Sequence, residues 1–213
     1  MAMIPARTAL EALREGNRRF VGKLGLEREP PLGAGAASAR RRELPAGRQE
    51  PLAIVLGCSD ARVPAEIVFD QGLGDLFVIR VAGNIVAPSQ IGSVEFAAER
   101  FGTRLVVVLG HSQCGAVTAT LEEMRQAGGS GSRNMRSIVD RIRPSVASLL
   151  AAGLGANPEA LLHESVRANV RASANQLRHG SELIERLCEA DGLLIVGAEY
   201  SLASGVVDVF DGV

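Results

Sequence analysis

Leu52-Ala53-Ile54-Val55-Leu56 and Leu105-Val106-Val107-Val108-Leu109 are uninterrupted aliphatic runs, each closed by a glycine, Gly57 and Gly110. A strand with one face in water alternates apolar and polar residues. A run with no polar position has to be buried on both faces, as in a parallel sheet covered by helices. Residues 76–81 form a third run, 193–196 a fourth and 206–210 a weaker fifth. Helical stretches lie between them at residues 89–101, 115–127, 135–151, 158–178 and 181–190, with a flexible break at 128–134. This alternation predicts an α/β fold, a mainly parallel β-sheet flanked by helices. The 213 residues suffice for one domain with a sizeable core. With six Phe, one Tyr and no Trp, that core is aliphatic.

The first 50 residues read differently. They hold ten Lys/Arg against six Asp/Glu, in a chain whose net charge is -1. Thr8 and Glu11 have capping-box spacing for a helix, on which Leu10, Leu13 and Phe20 form an apolar stripe interrupted by Asn17. Residues 25–49 have no period and read as an extended arm with a short helix near 36–43, where Arg40, Arg41 and Arg42 form a solvated face. The expected organisation is an N-terminal helical arm over residues 1–50 and an α/β domain over 51–213, a single domain overall. A near-neutral chain argues against nucleic acid as a partner. No apolar run approaches the roughly 18 residues of a membrane span, so no membrane partner is expected. The first 20 residues lack the basic-then-apolar pattern of a secretion signal, so a cytoplasmic location is expected.

Three cysteines, Cys58, Cys114 and Cys188, do not make a disulfide scaffold. Cys58 follows the first aliphatic run, His111 follows the run at 105–109, and Cys114 comes three residues later. Open parallel sheets bind ligands beyond the carboxyl ends of their strands, where strand order reverses. Cys58 and His111 are thus placed to face one crevice. Two thiolates and an imidazole suit Zn²⁺ and leave a fourth tetrahedral position open, the mark of a catalytic site. Any one of the three alone would read as a core residue or a satisfied turn histidine; their joint placement at strand ends favours metal. Cys188 sits among Leu183, Ile184 and Leu187 and reads as core, and His163 and His179 as helix-surface residues. Asp60 and Arg62 follow Cys58 at alternate positions, so that the carboxylate reaches the open metal position and a bidentate Arg62 pair holds it. A phosphatase-like thiolate loop would need Arg where Pro64 stands.

Cys58-Ser59-Asp60-Ala61-Arg62-Val63 and Gly110-His111-Ser112-Gln113-Cys114-Gly115 resemble the two signatures of the β-class carbonic anhydrases. Residues 75–84 and Glu199-Tyr200-Ser201-Leu202 also resemble that family, and the likeness runs from residue 15 onward. The resemblance implies a zinc-binding catalytic domain with Zn²⁺ on Cys58, His111 and Cys114. Asp60 and Arg62 would be its catalytic dyad. Gln49 would hydrogen-bond bicarbonate. Phe77, Ala82, Phe96 and Gly115 would form an apolar wall, with Phe96 where the family often has Tyr. The implied activity is carbonate dehydratase: reversible hydration of CO₂ to bicarbonate and a proton by attack of zinc-bound hydroxide. The implied assembly is a homodimer or dimer-based tetramer, with active sites at the dimer interface and the arm wrapping a second subunit. Val55 stands where a subgroup with an inhibitory bicarbonate site carries Trp; Arg80 and Tyr200 match its other members, so that site is incomplete. Two alternatives share the zinc set: a carbonyl sulfide or carbon disulfide hydrolase on the same scaffold, and a non-catalytic zinc or thiol protein.

Overall fold

The computed structural model describes residues 3–24, 49–125 and 132–213. The expected arm over 25–48, its short helix near 36–43 and its three arginines lie outside the described residues, as does most of the break at 128–134. All five aliphatic runs form strands: β1 (Ala53–Gly57), β2 (Leu76–Arg80), β3 (Leu105–His111), β4 (Leu194–Tyr200) and β5 (Val207–Asp211). They make one sheet in the order β2-β1-β3-β4-β5. The first four strands run parallel, and β5 is antiparallel to β4 with a register shift at Gly197/Ala198. Every position of β1 and β3 is buried, as runs with no polar residue require. From β1 the chain moves outward to β2, then crosses to β3 on the other side of β1. Strand order therefore reverses between β1 and β3.

The helices are α1 (Ala6–Lys23), α2 (Ala65–Val68), α3 (Pro88–Arg100), α4 (Gly115–Arg125), α5 (Arg133–Ala151), α6 (Pro158–His179) and α7 (Glu182–Ala190). Successive strand residues point to opposite faces. Val55, Val107, Leu109 and Val196 pack with Ala9, Leu10 and Leu13 of α1. Ile54, Leu56, Val106 and Val108 pack with Val94, Val170, Leu177 and Ile184 of α3, α6 and α7. A third cluster, with Cys58, Cys114, Ile142, Leu161 and Val166, lies past the carboxyl ends of β1 and β3.

Helix α1 departs from expectation in two respects. It begins at Ala6, with Pro5 in extended conformation at the cap position and no side-chain cap. A proline ring pre-sets the backbone for helix entry, and Glu11 pairs with Arg14 at 2.6 Å. Asn17 does not interrupt the buried face but pins it. Its Nδ2 donates to the carbonyls of Val68 (3.0 Å) and Gly205 (2.9 Å), and its Oδ1 accepts from the Val207 N–H (2.9 Å). Beside it, a Cβ at Gly16 would lie 1.8 Å from the Phe69 carbonyl oxygen, so glycine sets the closeness of this approach. Helix α1 thus belongs to the core of its own chain.

Candidate metal centre

The strand reversal brings two chain segments together. Leaving β1, Cys58 is buried, and Arg80 at the end of β2 braces the segment 58–60: its Nε donates to the Cys58 carbonyl (3.1 Å) and its Nη2 to the Asp60 carbonyl (2.5 Å). Arg62 closes on Asp60 three times. Its backbone N–H and Nε donate to Oδ1 (3.0 and 2.9 Å), and its Nη2 donates to Oδ2 (2.7 Å). Asp60 is in consequence held well below the usual carboxylate range, chiefly by the Arg62 hydrogen bond and against the effect of burial.

His111 is the last residue of β3 and is 0% exposed. Its Nδ1 donates to the Ser112 carbonyl (2.9 Å). That commits the ring proton to Nδ1 and leaves a lone pair on Nε2. Gln113 then takes φ 57, a left-handed turn that brings Cys114 back at the entrance to α4. The donor atoms of Cys58, His111 and Cys114 lie within 4.8 Å of one another. The Cys58 thiol is lowered to about 4, first by the Cys114 thiol beside it, with His111 and the Gly83 and Asp60 N–H groups adding and burial opposing. Cys114 is pushed up by the Cys58 thiolate and by burial, so the pair gives up one proton readily and holds the other. Burial works against a charged His111, but the Cys58 sulfur, the Ser112 carbonyl and Asp60 outweigh it and raise that group.

These residues fit a metal ion. His111 Nε2 is buried without a hydrogen-bond partner, and Asp60 Oδ2 stands 3.8 Å away, too far to serve as one. Buried polar atoms are rarely orphaned, and an imidazole lone pair facing two sulfurs is a soft tetrahedral donor set.

Of the other expected site residues, Gly115 opens α4 next to Cys114, and an added Cβ there would meet open space. Ala82 is half-buried in the short 3₁₀ turn Ala82–Asn84. Phe77 and Phe96 instead pack with each other (ring centroids 6.2 Å) and with Phe101, away from the cluster that contains the two cysteines. Gln49 is exposed ahead of β1. Val55 and Tyr200 are buried on the α1 face of the sheet, while Arg80 is engaged by the two carbonyls. Cys188 is half-buried on α7, its thiol raised by burial. His163 faces Glu164 and Glu199, and His179 faces Glu185.

Sequence reasoning overlooked Gly83, whose N–H donates to Cys58 Sγ (3.3 Å), and Asn169, whose Nδ2 donates to the Gly83 carbonyl (2.8 Å). No local signal marks either residue, because the partners are 25 and 86 positions apart.

The family model described as carbonic anhydrase matches residues 53–207. The chain belongs to the β-carbonic anhydrase family. A carbonic anhydrase of Mycolicibacterium smegmatis is 40% identical over 201 residues, 94% of this chain and 91% of that protein. Carbonic anhydrase 2 of Mycobacterium tuberculosis is 38% identical over 92% of this chain and 89% of its own length. Among solved structures, the β-carbonic anhydrase CafA of Aspergillus fumigatus superimposes with a TM-score of 0.74 at 25% identity, covering 84% of this chain and 86% of that one. A tetrameric β-carbonic anhydrase of Sordaria macrospora shares the fold, with a TM-score of 0.71 at 23% identity over 83% of this chain and 91% of its own. No helix among the described residues is long and apolar enough to cross a membrane.

Proposed function

We propose that this chain catalyses the reversible hydration of CO₂ to bicarbonate and a proton, with one Zn²⁺ held by Cys58, His111 and Cys114. The observation that carries the reading is the orphaned His111 Nε2 facing two buried sulfurs at the reversal of strand order. Bound there, zinc would supply a Lewis acid that lowers the pKa of water. The chain's own residues do the rest. The Ser112 carbonyl fixes the His111 tautomer. Arg62 keeps Asp60 an ionised acceptor beside the imidazole, able to orient a proton-bearing group through a hydrogen bond. Ile85 and Val117 give the surroundings an apolar character suited to CO₂. Gln49, Ala82 and Gly115 complete the pocket in this reading.

The wall assigned to Phe77 and Phe96 comes from a second subunit in this reading. Phe96 is 53% exposed, beside Phe77 on the edge strand β2, and a partner copy would cover it. The assembly is a homodimer or dimer-based tetramer, and the Sordaria relative is tetrameric. Residues 51–213 carry the chemistry, and the N-terminal arm over residues 1–50 contacts the partner.

Metal content measured together with CO₂ hydration on the purified protein tests the function. One zinc per chain with hydration activity is expected. Stoichiometric zinc with no hydration over the alkaline range would make it a non-catalytic zinc protein. Faster turnover of carbonyl sulfide or carbon disulfide than of CO₂ would make it a hydrolase of those compounds.

A further inference from the structure

Gly83 is held on both sides, through the peptide before it and the peptide after it. Its N–H donates to Cys58 Sγ at 3.3 Å, and its carbonyl accepts Asn169 Nδ2 at 2.8 Å. Gly83 has φ 71, a conformation that favours glycine. A Cβ there would lie 2.8 Å from Ile142 Cδ1 and 3.1 Å from Ala116 Cβ. Side chains of α5 and α4 therefore press on the α-carbon while Asn169, from α6, fixes the Gly83–Asn84 peptide, so that the α-carbon between the two peptides is held and with it the aim of the preceding N–H. Asn169 is 2% exposed. A buried amide costs free energy unless it is paired, and an aliphatic residue would suit this helix face, where Val166 and Val170 already pack. Those neighbours touch the other half of the site. A Cβ at Gly110, the residue before His111, would lie 2.5 Å from Val170 Cγ2 and 3.4 Å from Val166 Cγ1. One stretch of α6 thus backs both the strand that carries His111 and the residue whose N–H faces Cys58.

We infer that Asn169 is a positioning residue of the metal centre, holding the Gly83 N–H on the Cys58 sulfur and so setting how that thiolate donates to a bound ion. The inference rests on the metal reading proposed above. Partners one layer outside a metal's ligands typically change its affinity about ten- to hundredfold. An N–H on a thiolate also withdraws electron density from sulfur. Losing it leaves the sulfur more electron-rich, which moves sulfur-to-metal charge transfer to lower energy, and leaves the sulfur free to move off its position, which outweighs the gain in donor strength and weakens binding.

The test uses Co²⁺ as the probe on the full chain, titrated against a competing chelator and read by its thiolate charge-transfer absorption. Asn169→Leu keeps the branched shape and removes the donor; Asn169→Ser shortens the reach and serves where the bulkier leucine variant does not fold. Ser165→Ala is the control, because Ser165 is buried one turn away on the same helix and its Oγ has no partner. The expected result is a roughly ten- to hundredfold weaker Co²⁺ affinity with a red-shifted charge-transfer band in the folded Asn169 variants. The Ser165 control should match the parent. A folded Asn169 variant with parental affinity and an unmoved band overturns the inference alone, as does a control that shifts equally. A parent chain that takes up no Co²⁺ with thiolate absorption overturns the metal reading, and this inference with it.

Discussion

Asn17 and His111 are both polar side chains buried among aliphatic residues, and they serve opposite ends. Asn17 on α1 is 6% exposed, and its amide meets three backbone partners from residues 68, 205 and 207. His111 at the end of β3 is more deeply buried, yet only Nδ1 is matched and Nε2 is left open toward two sulfurs. Burying a polar group is costly unless its hydrogen bonds are restored. At Asn17 the chain restores them itself, and the residue acts as a clamp. At His111 it withholds one, and the residue is set to receive something from outside. Burial alone does not separate these two residues; what does is that the chain completes the bonding of one and leaves the other's free nitrogen facing two sulfurs.

The strongest test of this contrast removes the open donors. Replacing Cys58, His111 or Cys114 by Ala should abolish both metal content and hydration activity, since three ligands leave no redundancy. Full zinc occupancy in any of these variants would place the metal elsewhere. The counterpart at the clamp is Asn17→Ala. Three backbone groups lose their partner at roughly 1 kcal/mol each, so stability should fall by about 2–3 kcal/mol in denaturant unfolding. Zinc per folded chain should not change. Lost metal in a folded Asn17 variant would show that the two places are coupled.

A pH–rate profile probes the open site more finely. Arg62 depresses Asp60, so Asp60 stays ionised from the acid side of neutrality upward and contributes no inflection there. Two thiolates neutralise the charge of a zinc ion, which opposes ionisation of its water. The expected kcat/KM rises from neutral into alkaline pH, at most about tenfold per unit for one titration. A plateau already reached near pH 6.5 would count against thiolate ligation. Val55, buried in the sheet, offers no polar group for an inhibitory bicarbonate, so the profile should not collapse steeply as bicarbonate is added.

The smallest effect is expected where α1 is held by charge. Burial opposes ionisation of Asp70, but Arg19 (2.6 Å) and Lys23 (3.2 Å) outweigh it and lower its pKa. A carboxyl with a lowered folded-state pKa stabilises the fold above its ordinary value near 4, and the contribution fades as the pH falls through the folded value. Both pairs are substantially exposed, so the gain is at most about 1 kcal/mol. Asp70→Asn should lower stability by that amount at pH 7 and by nothing near pH 2. A difference that persists at pH 2 would assign the effect to packing instead.

Much of the fold was legible because it is written locally. An aliphatic run with no polar position allows little besides a covered strand, and all five runs became strands. The two halves of the Cys58–His111–Cys114 cluster are each local as well: Asp60 and Arg62 lie within four residues of Cys58, and Cys114 within three of His111. What escaped is non-local. Asn17 read as a flaw in a stripe because its partners are 51, 188 and 190 positions away. Thr8 read as a cap because a proline three residues earlier gives no hydrogen-bond signature. Phe77 and Phe96 were assigned by resemblance alone, and their placement against Phe101 depends on how β2 and α3 meet.

The three bonds of Asn17 also impose an order of events. Gly205 and Val207 lie just before and within β5, the last strand in the sequence, while Asn17 lies in the first helix. Contacts this distant close only after the intervening chain has collapsed, because a long loop must first lose its freedom. Helix α1 therefore emerges before the strands that receive it, and the clamp at Asn17 closes only once β5 is in place, so until then the apolar stripe has no complete core to enter.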